Sequence, residues 1–335
     1  MARANKPVLG IDIGSCTLKL ALCSGQKIRR LAEIHMPDSL VKDGRVISPE
    51  AMAEFLKTAV RKSRTKTRRC AVIIPSSQVF VRQTVLPVMT EEQLKINLPY
   101  EFRDYISDDR DKYYYDYYVI ACENDENGQP EKLELMAAAA RKDLIAQYND
   151  ICRWAGLKLV TAIPAEMAIV NLLRRAEAED AELADREQCF LDLGHTGTRI
   201  FFYDGDRYNT VRSDERGGLA VNEALAAKLN VDVHIAEARK EANTDDALGS
   251  PEVTEIFGEI ATDVMRAVNF YAYNNHDSEL QCGWLCGGGS RVDQLCAQIR
   301  GQLGFELRPV SELILDSPDP LLSDTCFAAI GAALN

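Results

Sequence analysis

No stretch of this sequence reaches the roughly 18 consecutive apolar residues that a membrane helix requires. The N-terminus, MARANKPVLGIDIG, has no apolar core of a secretion signal, because Asp12 interrupts it too early. Positive charge is in short supply. The 39 Lys and Arg stand against 51 Asp and Glu, a formal net charge of −12, which argues against nucleic acid or anionic lipid as the main partner. Metal-binding cysteine spacing is absent too: Cys282, Cys286 and Cys296 fit no zinc pattern and have no histidine at a matching offset. The ten cysteines lie scattered within apolar stretches, as at Cys23, Cys70, Cys152 and Cys326, where a thiol packs as a small hydrophobe. These absences leave a cytoplasmic globular protein, and 335 residues suffice for two domains.

One local run, RKSRTKTRRC at 61–70, breaks the acidic balance. It follows a helical pattern, so it reads first as a helix C-terminus complemented by cations, and second as a surface for acidic partners or lipid.

What the sequence does contain is a hairpin written twice. VLGIDIGSCTLKLAL at 8–22 and CFLDLGHTGTRIFFYDG at 189–205 share one grammar: apolar run, Asp, apolar residue, Gly, small polar turn, apolar run. Alternation predicts strands over 8–13 and 18–21, then a helix over 49–60 with Ser48 as N-cap and Pro49 in its first turn. CAVIIPSS is a short buried strand. A second region starts near Gln78, with a strand in VFVRQTVLPV and a capping box in TEEQ, 90–93. Pro99 is expected to kink or end the helix that follows. In DKYYYDYYVI, alternation puts Tyr113, Tyr115 and Tyr117 on one face, Tyr114 and Tyr118 on the other. They read as a strand of a small sheet or as an aromatic-lined groove. KLELMAAAA is a strand, and RKDLIAQYNDICRWAG a helix closed by Gly156. A strand, a proline and an apolar helix follow over 157–175, and AEAEDAELADREQ is the best linker candidate.

The second half repeats the plan. Gly217–Gly218 opens a helix, 255–274 is a long helical pattern, and 282–304 runs strand, triple glycine, helix. The chain closes with a small-residue helix, CFAAIGAALN.

Tight turns with glycine can aim successive backbone N–H groups at phosphate oxygens. Gly14, Ser15, Cys16 and Thr17 form one candidate loop, and Gly194, His195, Thr196, Gly197 and Thr198 the other. Asp12 and Asp192 beside them would repel phosphate unless a divalent cation such as Mg²⁺ stood between. Lys19 is a candidate phosphate contact. Gly287, Gly288 and Gly289, with Ser290, let backbone approach a flat ligand ahead of the next helix.

The order of these parts resembles the actin-like ATPase superfamily: a duplicated RNase H-like (ASKHA) α/β core with nucleotide in a cleft and a small inserted α+β subdomain. The resemblance implies that 8–20 and 191–200 are the two phosphate loops, 285–290 the adenosine motif, and 164–173 and 328–334 the hinge helices. It implies ATP and Mg²⁺ as cofactors, with Asp12 and Asp192 toward the metal. Gly217, Gly218, Glu237 and Lys240 match ribose- and adenine-side positions, although a solvated amphipathic helix accounts for the last two equally well. His195 is unusual in its loop and reads as a turn residue or as a γ-phosphate contact.

Within that superfamily, MPDSLVKDGRVISPEAMAEFLK, AVIIPSSQVFVRQTVLPVMTEEQL, AARKDLIAQYNDICRWAGLKLV and LCGGGSRVDQLCAQIRGQLGFEL are similar to the PilM family of type IV pilus assembly proteins. The likeness covers nearly the whole chain. It implies a cytoplasmic ATP-binding adaptor, peripheral to the inner membrane through partners. Its expected partner is the cytoplasmic N-terminal tail of a PilN-like bitopic protein, alongside other pilus inner-membrane components, in a pilus or a related secretion or competence system. The implied division is a first half, 1–76 with 158–185 and 322–335, an insert at 77–157, and a second half at 186–321. The tail groove is expected at the strand from Gln78 and the helix from Glu91. FtsA, the related cell-division filament protein, ends in a membrane-binding helix, and this sequence stops at the hinge helix, which favours PilM. A small-molecule kinase on the same fold is the further alternative, but no acid-rich substrate motif stands out. Ile163 stands where FtsA-like chains carry an acid before the hinge proline, so ATP hydrolysis is expected to be slow or absent. A homo-oligomer is permitted but not demanded.

Overall fold

A computed structural model describes residues 6–275 and 280–334; the outer ends of the expected segments 1–76 and 322–335 lie outside them. The chain divides into two compact units. One holds the chain up to Arg175, with Asp206–Asn209 and the segment from Ala328 on; the other holds Ala176–Gly205 and Thr210–Phe327.

In the first unit, β1 (Val8–Ile13), β2 (Thr17–Ser24) and β3 (Lys27–His35) form an antiparallel meander. After the two-residue strands β4 (Val41–Lys42) and β5 (Arg45–Val46) comes α1 (Pro49–Lys62), whose N-cap Ser48 Oγ accepts the Ala51 N–H at 3.4 Å. β6 (Arg69–Ile74) joins β1 in parallel, and β10 (Lys158–Pro164) joins β6, giving the order β10-β6-β1-β2-β3. β3 and the β4–β5 pair were not legible, because the segment 27–46 alternates weakly. The helix α3 (Lys142–Trp154) falls inside the segment expected as insert, yet it packs in the first core: Tyr148, Ile151 and Cys152 lie against Leu9, Ile11, Leu56 and Val72. Gly156, at φ +82°, ends it in the left-handed region.

Within the segment expected as insert, a separate three-stranded sheet of β7 (Val79–Pro87), β8 (Tyr113–Asn124) and β9 (Pro130–Arg141), ordered β7-β9-β8, carries α2 (Glu91–Glu101). Thr90 and Gln93 form the capping box in both directions. A Thr90→Ala variant should lose about 1 kcal/mol locally, read as faster hydrogen exchange of the α2 amides with the rest of the chain unchanged. Pro99 does not stop α2 at once. The helix runs two residues past it to Glu101, and the Phe102 N–H bonds back to the Pro99 carbonyl. Tyr113, Tyr115 and Tyr117 pack under Leu98, Phe102 and Ile106, while Tyr114 and Tyr118 face outward. The inward tyrosines therefore support α2.

The helix α4 (Ala165–Glu177) leads toward the second unit. There β11 (Glu187–Leu193), β12 (Thr198–Asp204), β13 (Arg207–Asp214), β14 (Cys282–Cys286) and β15 (Glu306–Pro309) form the order β13-β12-β11-β14-β15. β11 is antiparallel to β12 and parallel to β14, which is parallel to β15. This is the first sheet repeated strand for strand. Helices α5 (Gly218–Leu229), α6 (Val233–Glu241), α7 (Pro251–Asn274) and α8 (Asp293–Gln302) accompany it, and α9 (Pro320–Ala333) closes the described chain. The core gathers Leu191, Phe202, Phe257, Ile260 and Leu285, with the Phe202 and Tyr271 rings stacked at 4.1 Å. Gln188 is wholly buried and satisfied, accepting from Trp284 Nε1 at 2.8 Å and donating to the Gly205 carbonyl at 3.3 Å.

Candidate functional site

The first candidate loop is the turn between β1 and β2. Gly14 N–H donates to the Thr17 carbonyl at 3.0 Å, closing the turn, so Gly14 shapes the loop rather than offering a donor. Asp12 stands directly across from Lys19 in the hairpin register, and Lys19 Nζ lies 3.6 Å from its carboxylate. The expected phosphate contact is thus an ion-pair partner of the expected metal ligand. Cys16 Sγ sits 3.6 Å from His35 Nδ1 on β3, a neighbour that sequence reading missed because β3 itself was not seen. Burial first, then the negative charge of Asp12, pushes the Tyr148 phenol up.

The second loop, between β11 and β12, reproduces this geometry. Gly194 N–H donates to the Gly197 carbonyl at 3.0 Å, and Asp192 stands across from Arg199, whose Nη1 lies 3.4 Å from the carboxylate. In both hairpins the acid and its cation are seven residues apart (Asp12 and Lys19, Asp192 and Arg199), a spacing visible in the sequence. The double glycine packs against this loop. A Cβ on Gly217 would lie 2.5 Å from the Gly194 carbonyl oxygen, and Gly218 and Leu219 donate N–H to the Gly194 and His195 carbonyls at 3.0 and 2.7 Å. The loop therefore caps the N-terminus of α5. From α6, Lys240 Nζ reaches the Gly218 carbonyl at 3.4 Å, and Glu237 Oε1 stands 4.0 Å from His195 Nδ1. Thr196 is exposed at the loop tip.

The triple glycine adjoins the same place, each residue for its own reason. Gly287 has φ +81°, and a Cβ there would lie 2.5 Å from Asp192 Oδ1. A Cβ on Gly289 would lie 2.7 Å from the Leu193 Cβ. Gly288 is exposed, with nothing within 4 Å of its Cβ position, so only there does packing make no demand. Ser290 Oγ donates to the Gly287 carbonyl at 2.7 Å. Asp324, on α9, accepts the Gly287 N–H at its backbone carbonyl and the Ser311 N–H at Oδ1, both at 2.8 Å. Burial raises its carboxyl. Burial, followed by the charges of Asp192 and Asp324, raises the Cys286 thiol well above its ordinary value.

In the second unit the structure thus assembles Asp192, the loop, Gly217, Gly218, Glu237, Lys240 and the triple glycine at one locale. In the first it assembles Asp12, the loop and Lys19, with His35 added. Half-buried carboxylates beside glycine turns, and an unencumbered Gly288, suit a hydrated divalent cation and a phosphate-bearing ligand.

The insert offers a different surface. β7 is an edge strand with β9 as its strand neighbour, and the end of α2 is tethered to it: Arg82 Nη1 donates to the Glu101 carbonyl at 2.6 Å and Thr84 Oγ1 to its carboxylate. Val85, Ile96 and Tyr100 are exposed on these two elements, and Val88 on the segment that joins them.

Two sheets of identical order, each opening with an acid-bearing glycine hairpin, define the actin-like α/β class. The family model for the type IV pilus assembly protein PilM matches residues 10–314, and the chain belongs to that family. The structure is similar to the PilM–PilN type IV pilus biogenesis complex, with 25% identity, 98% of each chain covered and a TM-score of 0.81. It shares its fold with the ethanolamine utilization protein EutJ from Carboxydothermus hydrogenoformans, at 15% identity, covering 98% of this chain and 89% of that one, TM-score 0.60. The (R)-2-hydroxyglutaryl-CoA dehydratase component A of Acidaminococcus fermentans is similar at 10% identity, 98% and 96% coverage, TM-score 0.50. No curated protein matches by sequence. Among the described residues no helix is long and apolar enough to cross a membrane.

Proposed function

We propose that this protein is an ATP-binding adaptor of a type IV pilus assembly complex, and that it captures the cytoplasmic N-terminal tail of a PilN-like bitopic membrane protein. The observation that carries this is the end-to-end likeness to the PilM–PilN complex. The surface that fits an extended tail is β7 with α2: a free strand edge supplies backbone hydrogen bonds, and Val85, Ile96 and Tyr100 supply apolar contacts. For the nucleotide, each glycine hairpin is a candidate phosphate loop. Asp12 beside the first loop and Asp192 beside the second are each candidates to hold Mg²⁺ through its waters, and the exposed backbone at Gly288 would meet the nucleoside. Bound Mg²⁺ would supply charge neutralisation for the phosphates. Nucleotide is expected to act as a conformational ligand, so ATP and tail should each strengthen the other's binding.

The cysteines give a direct test. Cys122 is exposed, Cys16 is half-buried, and the other eight are buried. Burial pushes the Cys23 thiol up to about 12 and that of Cys296 to about 11, so neither reacts as thiolate at neutral pH. In a Cys122→Ser variant, alkylation of the native protein should be confined to Cys16, and ATP with Mg²⁺ should slow it severalfold. Mass spectrometry of the labelled peptides reads the result. Labelling at Cys16 indifferent to saturating ATP would remove the first loop from the site.

A further inference from the structure

The acidic surplus of this chain is not evenly spread. At one edge of the first sheet, strands β1, β6 and β10 begin side by side, β2 turns into β3, and α1 and α3 end. Four contacts tie that edge together. Lys158 pairs with Arg69 in register, and its N–H donates to the Arg68 carbonyl at 2.6 Å. Thr67 Oγ1 donates to the Pro7 carbonyl at 2.7 Å, and Arg30 Nη1 to the Ser63 carbonyl at 3.0 Å. Segments 24–32, 61–69 and 151–158 contain no Asp or Glu. Lys6, Lys27, Arg64, Lys66, Arg68 and Lys158 are all exposed there, and no ion pair to a carboxylate is seen for them among the described residues. Asp150 is the nearby acid, already bonded to Arg153 at 2.8 Å.

The helix-terminus explanation covers part of this. Arg61, Lys62 and Arg153 lie in the last turns of α1 and α3, where cations complement the helix dipole. That effect dies out within the last turn, and it does not reach Lys66, Arg68, Lys158, Lys27 or Lys6. Beside these cations stands Trp154, at the end of α3 and 41% exposed. An amphipathic indole flanked by cations is the pairing found at membrane–water interfaces. A nucleic-acid surface would add a row of stacking aromatics or a groove-entering helix; this edge has a lone indole, loops and strand starts. The Gly14–Thr17 turn lies at the opposite end of β1, about 20 Å away at ~3.3 Å per residue, so a partner at the basic edge leaves that loop uncovered.

We propose that this basic edge, with Trp154, is a docking surface for the anionic face of a phospholipid bilayer, contacted directly by this chain. The inference stands independently of nucleotide or tail binding. The test is co-sedimentation of the full chain with vesicles of phosphatidylcholine carrying increasing phosphatidylglycerol. Binding should rise with phosphatidylglycerol and fall with salt. The chain has two tryptophans, and the other, Trp284, is buried. A blue shift of emission and quenching by brominated lipid would therefore report Trp154 entering the interface. Each cation near an anionic surface strengthens binding about fivefold, so a combined Arg64→Ser, Lys66→Ser, Arg68→Ser variant should bind on the order of a hundredfold more weakly. A Lys132→Ser variant on the insert should match the unaltered chain, and unchanged thermal unfolding would show that the fold is kept. No binding to phosphatidylglycerol vesicles at low salt, or binding indifferent to the triple substitution, overturns the proposal. Tighter retention on duplex DNA or on polyglutamate than on vesicles also overturns it, and assigns the edge to a nucleic acid or to an acidic protein.

Discussion

Replacing Gly10 with valine should destabilise the first unit by at least about 3 kcal/mol. Gly10 lies in the middle of β1, and a Cβ there would stand 1.8 Å from the Ala329 carbonyl oxygen and 3.2 Å from the Ala333 Cβ. The obstacle is backbone, which cannot rotate out of the way as a side chain can. α9 must lift off the strand, and it is pinned elsewhere by an equally close approach: a Cβ on Gly331 would lie 2.0 Å from the Ala168 carbonyl of α4. Asn171 Nδ2 also donates to the Gly331 carbonyl at 3.0 Å. Lifting the helix would open a void beneath residues that are now fully buried, such as Ala329 and Ile330. At about 2–4 °C per kcal/mol for a unit of this size, the midpoint should fall by about 6–12 °C. Urea and thermal unfolding of the two proteins measure it. The contrast is Gly301 in α8, whose Cβ position meets nothing within 4 Å. Gly301→Ala should be neutral or stabilising by about 0.5–1 kcal/mol. Equal midpoints for Gly10→Val and Gly301→Ala would refute the packing argument.

Reversing charge at Asp12 should have the largest functional effect. The carboxylate lies beside the first loop and 3.6 Å from Lys19. Asp12→Lys would remove the proposed Mg²⁺ anchor and set two cations against each other. Like charges about 4 Å apart near a surface repel by roughly 4 kcal/mol at an effective dielectric of about 20. Affinity for ATP·Mg²⁺ should fall at least about a hundredfold, equivalent to roughly 2.7 kcal/mol. Because coupling is reciprocal, the tail peptide should then bind with the same affinity whether or not ATP is present. Calorimetry with nucleotide alone, and with peptide at fixed nucleotide, separates the two claims. Undiminished ATP affinity in Asp12→Lys would take the first loop out of the site. Nucleotide binding that leaves peptide affinity unmoved in the unaltered protein would sink the coupling while leaving the binding intact.

The sequence showed the duplication plainly, because a strand with one buried face writes its period directly into the residues. The two Asp–apolar–Gly hairpins, the Thr90 cap and the two faces of the tyrosine strand followed from spacing alone. Spacing failed where neighbours come from far along the chain. β3 alternates weakly because Arg29, Arg30 and Glu33 interrupt it, so His35 beside Cys16 was invisible. The helix α3 looked like part of the insert because it follows β9 without a break, but its apolar face packs with β1 and α1.

The glycines divide the same way. By itself the sequence determined that Gly14, Gly194, Gly217 and Gly287 stand at bends, since turns and helix starts announce themselves locally. Only the tertiary structure decided what each bend is for. Gly14 and Gly194 close turns, Gly217 presses on a loop, Gly287 makes way for Asp192, and Gly288 stands open. It also decided that cations from four separate segments meet at one sheet edge. Periodicity is a property of adjacent residues, whereas close approach and collected charge depend on which strands begin side by side, and that is fixed by packing.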